Sequence, residues 1–161
     1  ITNNNTFNLQ IYLNEQCKNA MNIEDFIKSL KFTLEDLDYS VKNGKIKGVS
    51  NILIKGLTDL NETDRPMHCT DASNSVLYIK DKDRWEEDSN NEILEKSITN
   101  VETEQSNLIG KWEECHPNWM QDENLQDAYL NIVKNTMQTM SKKEKQKVIE
   151  NVSKIVKLKK K

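Results

Sequence analysis

The sequence predicts an α+β fold that is mostly helical, with a small antiparallel sheet and a C-terminal helical hairpin. Three observations support this fold class. The chain has only 4 Gly and 2 Pro in 161 residues, which argues against a turn-rich β-sandwich. Apolar residues recur at helical spacing along most of the chain. The segment Val76–Ile79, with a return at Arg84–Glu87, has the β-branched and aromatic content of a hairpin.

The N-terminal part is predicted to contain the end of a linker and a first strand. Residues 1–8 are polar and Asn-rich, which is typical of a linker, and residues 9–161 are predicted to form a single domain. The segment Leu9–Leu13 is predicted to be a short strand. Because an isolated hairpin is only marginally stable in water, we expect this N-terminal strand to complete the sheet.

Residues 22–60 are predicted to form three short helices. The first has an apolar face made of Ile23, Phe26, Ile27 and Leu30. Thr33 is expected to cap the second helix, with Asp36 at its N3 position, and Gly44 is expected to end it. The third helix has an apolar stripe from Val49 to Leu60. Gly56 lies on that stripe and would allow a neighbouring element to approach closely.

A long helix is predicted from the apolar stripe between Leu94 and Cys115, with a break near Gly110. Trp85 and Trp112 are expected to pack the hairpin against this helix. Trp119 lies in a Pro-Asn-Trp loop, where burial is less assured. An exposed tryptophan at this position is a candidate interface anchor.

The final two helices, at about residues 122–140 and 142–158, are expected to form an antiparallel pair that closes the core. Asp122 can cap the first of them, and Ser141 with Glu144 forms a capping box for the second. The connection at Ser141 is short enough to require a tight turn between neighbours. The apolar stripes expected to meet are Ile132, Val133 and Met137 on one helix and Val148, Val152 and Ile155 on the other.

The last helix has more apolar surface than one neighbour needs to cover. Its apolar residues are Val148, Ile149, Val152, Ile155, Val156 and Leu158. We therefore expect a protein partner, most simply a second copy of this chain. The alternative is a monomer whose stripe is fully used internally. The candidate interaction residues are Trp119, Val152, Ile155, Val156, Lys154 and Lys157.

Charge is distributed unevenly along the chain. Residues 142–161 contain nine Lys and two Glu, a net charge of +7, so residues 1–141 have a net charge of −10 within the total of −3. Such basic ends are usually solvated and solubilising, and some bind nucleic acid. Only Arg65 and Arg84 are arginines, and bidentate arginine is the commonest base-specific contact. Nucleic acid is therefore the less favoured partner.

No catalytic, cofactor-binding or metal site is predicted. His68-Cys69 and Cys115-His116 contain zinc-ligand types, but structural zinc sites use knuckles such as C-x₂₋₄-C. The same residues could supply a nucleophile and a base, yet no nucleophile elbow accompanies them. Cys69 and Cys115 are therefore expected to be small buried hydrophobes. The acidic segment Asp81–Asp88 lacks the layout of a calcium loop. We expect no enzyme and no small-molecule substrate.

The cellular setting is predicted from cysteine count and hydropathy. The chain has 3 Cys, an odd and widely spaced set that favours a reducing compartment. No apolar run approaches the roughly 20 residues of a membrane span. The opening residues lack the basic and apolar regions of a signal peptide. Residue 1 is not Met, so the sequence is expected to be a fragment or a processed product.

Six segments, taken in order, carry a resemblance over nearly the full length. They are TFNLQIYLNEQCKNAMNIEDFI, GVSNILIKGL, RPMHCTD, LYIKDKDRW, KWEECHPNW and DAYLNIVKNTM. They resemble an uncharacterised domain at the C-terminal end of proteins from giant DNA viruses and related environmental sequences. In that family the domain often follows zinc-knuckle-like segments and an Asn-rich linker. The resemblance implies that residues 1–8 are the tail of that linker and that the upstream part is absent here.

The sequence therefore leaves two alternative hypotheses for the function. The first is a non-enzymatic protein–protein interaction or oligomerisation module of a large DNA virus protein, located in the virion or the host cytoplasm. The second is a nucleic-acid-associated regulator that uses the basic last helix together with the absent zinc-binding segments. The acidic body and the near absence of arginine favour the first.

Overall fold

Helices and one small antiparallel sheet make up the chain in this computed structural model, which describes residues 7–159. The mostly helical α+β fold is thereby confirmed. The predicted linker end at residues 1–8 lies mostly outside the described residues. The helices are α1 (Leu9–Ile11), which continues as a π-helix (Tyr12–Gln16), α2 (Ile23–Ser29), α3 (Leu34–Asn43), α4 (Lys45–Thr58), α5 (Glu92–Ser106), α6 (Leu108–Cys115), α7 (Glu123–Met137) and α8 (Lys142–Ile155). The strands are β1 (Met67–Asp71), β2 (Val76–Asp81) and β3 (Arg84–Glu87).

The three strands pair in chain order, and both pairings are antiparallel. The predicted hairpin is confirmed as β2 and β3. Its turn residues Lys82 and Asp83 have positive φ angles of 50° and 66°, which a two-residue turn between twisted strands requires. The side-chain oxygen of Asn22 accepts a hydrogen bond from the Asp83 N–H at 2.7 Å. This contact ties the turn to the start of α2.

The strand predicted at Leu9–Leu13 is wrong, because this segment is helical. The side chain of Asn8 accepts a hydrogen bond from the N–H of Ile11 at 3.1 Å and so begins the helix. Leu13 and Cys17 are fully buried while Ile11 is 50% exposed, so burial follows a helical turn rather than alternation. The third strand is instead β1. Its first three residues are all buried, so it shows no alternation from which a strand could be recognised.

Two hydrophobic clusters form the core. The main cluster lies between the sheet and helices α2, α4, α5 and α8. The second lies among α3, α6 and α7, with the buried residues Leu37, Leu108, Trp112 and Ile132. Trp112 therefore belongs to the second cluster and does not pack against the hairpin as expected.

The chain passes from the main cluster to the second cluster at Asn107. The helix break predicted near Gly110 lies at this residue, between α5 and α6. Val101 is buried in the main cluster, whereas Leu108 is buried in the second. The break at Asn107 therefore lies where the chain leaves one cluster and enters the other.

Helices α7 and α8 are not the packed antiparallel pair that was expected. Helix α8 packs mainly on α4, and also on α5 and β1, whereas α7 packs on α3 and α5. The connection between them is extended at Gln138 and at Ser141. It is held by Met140, which is 4% exposed and donates its N–H to Glu102 at 2.9 Å. An anchored, extended connection lets each helix pack on a different neighbour.

The residues that follow α8 pair with the outer edge of β1. The N–H of Cys69 donates to the carbonyl of Val156 at 2.9 Å, and the N–H of Leu158 donates to the carbonyl of Cys69 at 2.9 Å. Residues 156–158 therefore run beside β1 as a short bridge. This arrangement covers a strand edge that would otherwise be open to pairing.

Candidate interaction surface

Helix α7 is the least buried long helix, and its inner face alone holds it in place. Asp122 caps it by accepting hydrogen bonds from the N–H groups of Asn124 at 2.9 Å and Leu125 at 3.3 Å. Of its fifteen residues only Ile132 and Thr136 are buried. Half-buried Leu125, Ala128 and Tyr129 pack on the second cluster beside them. The opposite face of the helix is solvent-exposed.

An aromatic stack fixes the loop before α7. The rings of Trp119 and Tyr129 stack with centroids 4.0 Å apart and an interplanar angle of 14°. Trp112 and His116 stack at 4.3 Å, and Trp112 also lies 5.8 Å from Tyr129. Trp119, proposed from the sequence as an interface anchor, is thus half-buried, with one ring face covered by Tyr129. Its main role in this structure is to hold the loop against α7.

The three most exposed large apolar side chains of the described residues lie on α7 or in the loop before it. Met120 is 65% exposed, Leu130 is 58% exposed and Met137 is 67% exposed. The carbonyl of Met120 accepts a hydrogen bond from the side chain of Gln126, one turn before Leu130. Two large apolar side chains in water on one face of a helix, with a third in the loop before it, indicate a surface that can bind another protein.

Sequence reasoning missed this face. Met137 was assigned to the core stripe, but the helix ends there and its side chain is exposed. Leu130 lies outside that stripe, on the opposite side of the helix. A large apolar residue on the polar face of an amphipathic helix is a signal that could have identified the surface from sequence.

The predicted interface on α8 is corrected in part. Val152 is 0% exposed and Val156 is 1% exposed, so both are core residues and cannot contact a partner. The reason is that α4, α5 and β1 pack against the apolar face of this helix. Ile155 is 38% exposed, and Lys154 and Lys157 are exposed beside it. Of the five residues predicted there, these three are exposed to solvent.

His68 has an unexpected buried partner, Cys17. The Sγ atom of Cys17 lies 3.6 Å from Nε2 of His68, and both side chains are 0% exposed. The rings of Tyr12 and Trp85 flank His68 at centroid distances of 5.5 and 5.6 Å. The indole N–H of Trp85 donates to the Cys17 carbonyl at 3.3 Å. This cluster attaches the N-terminal helical segment to the sheet.

The Cys17–His68 contact is a packing contact, because its environment does not favour the thiolate that nucleophilic attack requires. Burial lowers the pKa of His68 to about 4, and burial raises the pKa of the Cys17 thiol. Both groups are therefore neutral near pH 7, whereas a reactive cysteine is an accessible thiolate. The buried side chain of Lys80 lies nearby and donates to the carbonyls of Lys18 and Ala20, each at 2.8 Å. These bonds further secure the segment.

The two His-Cys dipeptides lie in different parts of the core. His68 lies beside the main cluster, whereas His116 stacks in the second cluster. Cys69 is buried as predicted, but Cys115 is exposed, which contradicts the expectation for it. Within residues 7–159 no group of three His, Cys, Asp or Glu side chains could hold a metal ion.

One groove of about 650 Å³ lies between α2, α5 and the hairpin turn. Its apolar lining consists of Ile23 and Ile27, which are buried, and Leu30, Phe32 and Ile93, which are half-buried. Lys28 on the rim already pairs with Glu24 at 3.2 Å. The rim carries three bases, Lys28, Lys82 and Lys96. It also carries three acids, Glu24, Asp81 and Glu104. A rim on which both signs of charge alternate indicates no particular class of ligand.

Comparison with known proteins finds no similar protein. No protein-family model, no curated protein and no solved structure matches this chain significantly. In addition, no helix of the described residues is long and apolar enough to cross a membrane.

Proposed function

We propose that this chain is a non-enzymatic protein–protein interaction module that self-associates through the outer face of α7. The observation that carries the proposal is the exposure of Met120, Leu130 and Met137 on and beside this one helix. The candidate residues Ile155, Lys154 and Lys157 form a second exposed group at the end of α8. The outer face of α7 is the stronger candidate, because its apolar side chains are the more exposed.

The energetics favour a weak but specific contact. Removing the remaining exposed surface of each of these three side chains from water would contribute about 1–2 kcal/mol. Methionine is flexible and polarisable, so Met120 and Met137 can adapt to a partner surface at low cost. The stack of Trp119 on Tyr129 joins the loop before α7 to the helix and so supports this surface. A rigid support with adaptable contact residues suits protein recognition.

The biological setting is proposed from the resemblance alone. A C-terminal domain that follows a linker in a large DNA virus protein would join copies of that protein, or join it to other proteins, in the virion or the host cytoplasm. The acidic body, with −10 over residues 1–141, suits contacts with proteins better than contacts with nucleic acid.

Sedimentation equilibrium between about 10 and 500 μM tests the proposal. The wild type is expected to show a reversible monomer–dimer equilibrium. The variant Leu130→Glu/Met137→Glu is expected to remain monomeric with an unchanged circular dichroism spectrum, because both side chains lie outside the core. The control Ile11→Glu changes an exposed apolar residue far along the chain and should dimerise like the wild type. A wild type that remains monomeric throughout contradicts self-association.

A nucleic-acid function is favoured by one observation, the exposed lysines of α8. Among residues 142–159, six lysines are exposed: Lys142, Lys143, Lys147, Lys154, Lys157 and Lys159. If this function is correct, a labelled 20-base-pair duplex will bind with an affinity that falls steeply between 50 and 200 mM salt. The variant Lys143→Gln/Lys147→Gln would then bind more weakly. Our main proposal predicts no such binding at physiological salt.

A further inference from the structure

We infer that two copies of this chain pair antiparallel through α7, with the two Leu130 side chains adjacent at the centre of the contact and Asp127 opposite Lys134 of the second copy. This inference rests on the proposed function and specifies its partner and its geometry. It follows from the order of charges along the exposed face and from the absence of internal partners for those charges.

The exposed face of α7 has a heptad spacing. The residues Glu123, Asp127, Leu130, Lys134 and Met137 follow one another at intervals of four and three and all are exposed. Intervals of four and three keep side chains on one stripe that can face a second helix. The stripe is therefore a continuous contact line about four turns long. It lies opposite the inner face that Ile132 and Thr136 bury.

Asp127 and Lys134 are complementary between two copies only when the two helices run in opposite directions. In an antiparallel pair centred between residues 130 and 131, Asp127 faces Lys134 of the second copy, and the same contact occurs twice by symmetry. In a parallel pair each Asp127 would face the other Asp127, and each Lys134 the other Lys134. Like charges at facing positions disfavour that arrangement. Opposed helix dipoles also favour the antiparallel pair.

Both charges are available for a second copy. Neither Asp127 nor Lys134 has an ion-pair partner within 4.0 Å in the part of the chain that the structure describes. They lie seven residues apart on one helix, about 10 Å along its axis, so they cannot pair with each other. An acid and a base that flank an exposed leucine without contacting each other fit an intermolecular pair.

The contact is expected to be weak, because one helix pair buries less surface than a stable protein complex of standard size. Such a module would add to the stability of a larger assembly by avidity, when the assembly holds several copies of this chain close together. Because the dimer is weak, its affinity depends strongly on each Asp127–Lys134 pair. The register can therefore be tested by changing these charges.

Charge reversal tests the register directly. Asp127→Lys puts lysines opposite lysines, and Lys134→Asp puts acids opposite acids. Each variant alone is expected to dimerise about tenfold more weakly than the wild type, since two exposed pairs become repulsive. An equimolar mixture of the two variants restores both pairs, and it is expected to recover dimers that contain one copy of each. Sedimentation equilibrium with one copy labelled measures this.

Two controls separate register from folding and net charge. Asp38→Lys on α3 and Lys111→Asp on α6 make the same charge changes at exposed positions, and their mixture should behave like the wild type. If the wild type dimerises and Leu130→Glu/Met137→Glu is monomeric, but the mixture of charge variants does not recover, the antiparallel register is wrong while the interaction module stands. If the wild type does not dimerise, both fail.

Discussion

The ammonium of Lys45 on α4 lies 3.1 Å from the carboxylate of Glu102 on α5, with the two side chains only 9% and 7% exposed. The same Glu102 oxygen accepts the N–H of Met140, and Lys45 also donates to the carbonyls of Thr136 and Gln138. One buried ion pair thus organises the connection between α7 and α8. It explains why these helices separate instead of packing as a hairpin.

Breaking this pair is expected to be costly. Lys45→Met leaves Glu102 charged and buried, and the loss of one buried partner typically costs about 3–5 kcal/mol of unfolding free energy. Urea denaturation followed by circular dichroism measures the change. The control Lys28→Met breaks the exposed Glu24–Lys28 pair, and it should cost less than about 0.5 kcal/mol. Equal losses in the two variants would show that the buried pair does not organise the connection.

His68 is expected to make the protein acid-sensitive. Its pKa is about 4 in the folded chain because of burial, whereas an unfolded histidine titrates near pH 6.5. A lowered folded pKa means that the unfolded state binds the proton first. The contribution of neutral His68 to the free energy of unfolding is therefore fully present above about pH 6.5. This contribution is lost as the pH falls towards 4. The loss amounts to about 2–3 kcal/mol across this window.

The comparison of wild type with His68→Gln at each pH isolates this effect. The groups that face His68 are Tyr12, Cys17, Glu62 and Arg65, and they are unchanged in the variant. Glu62 opposes the shift and Arg65 reinforces it. The stability of the wild type should fall relative to the variant between pH 6.5 and 4. A constant difference across that range would contradict a buried neutral His68.

The three cysteines should react with a thiol reagent at very different rates. Cys115 is exposed, whereas Cys17 and Cys69 are buried, and burial raises the pKa of both buried thiols. We expect one thiol per native chain to react within minutes and three to react after denaturation. Mass spectrometry of the labelled peptides identifies the site. Rapid labelling of Cys69 would contradict its structural role.

Two glycines are expected to respond in opposite directions to alanine. A Cβ at Gly48 would overlap the side chain and backbone of Ser40, where α3 crosses α4, so Gly48→Ala should destabilise by about 1–3 kcal/mol. Nothing lies within 4 Å of a Cβ at Gly110. Gly110→Ala in α6 should therefore stabilise by about 0.5–1 kcal/mol. Thermal unfolding of both variants measures the two signs.

Interactions between neighbours in sequence were predictable. The capping boxes at Thr33 with Asp36 and at Ser141 with Glu144 are both present, because each needs only residues three positions apart. The hairpin turn at Lys82 and Asp83 is local in the same way. Gly56 also lies where Leu30 and Phe26 approach closely, as its position on the apolar stripe suggested.

The sequence by itself determined the helices after residue 22, the two capping boxes, the hairpin and thus the fold class, since these depend on spacing and short-range hydrogen bonds. The tertiary structure alone decided which long-range partners meet. It placed Cys17 rather than Cys69 against His68, and it buried Val152 while it left Leu130 exposed. An amphipathic stripe indicates that a helix face is buried but does not identify the surface that covers it. That choice depends on contacts among distant segments, including a buried ion pair that no local pattern reveals.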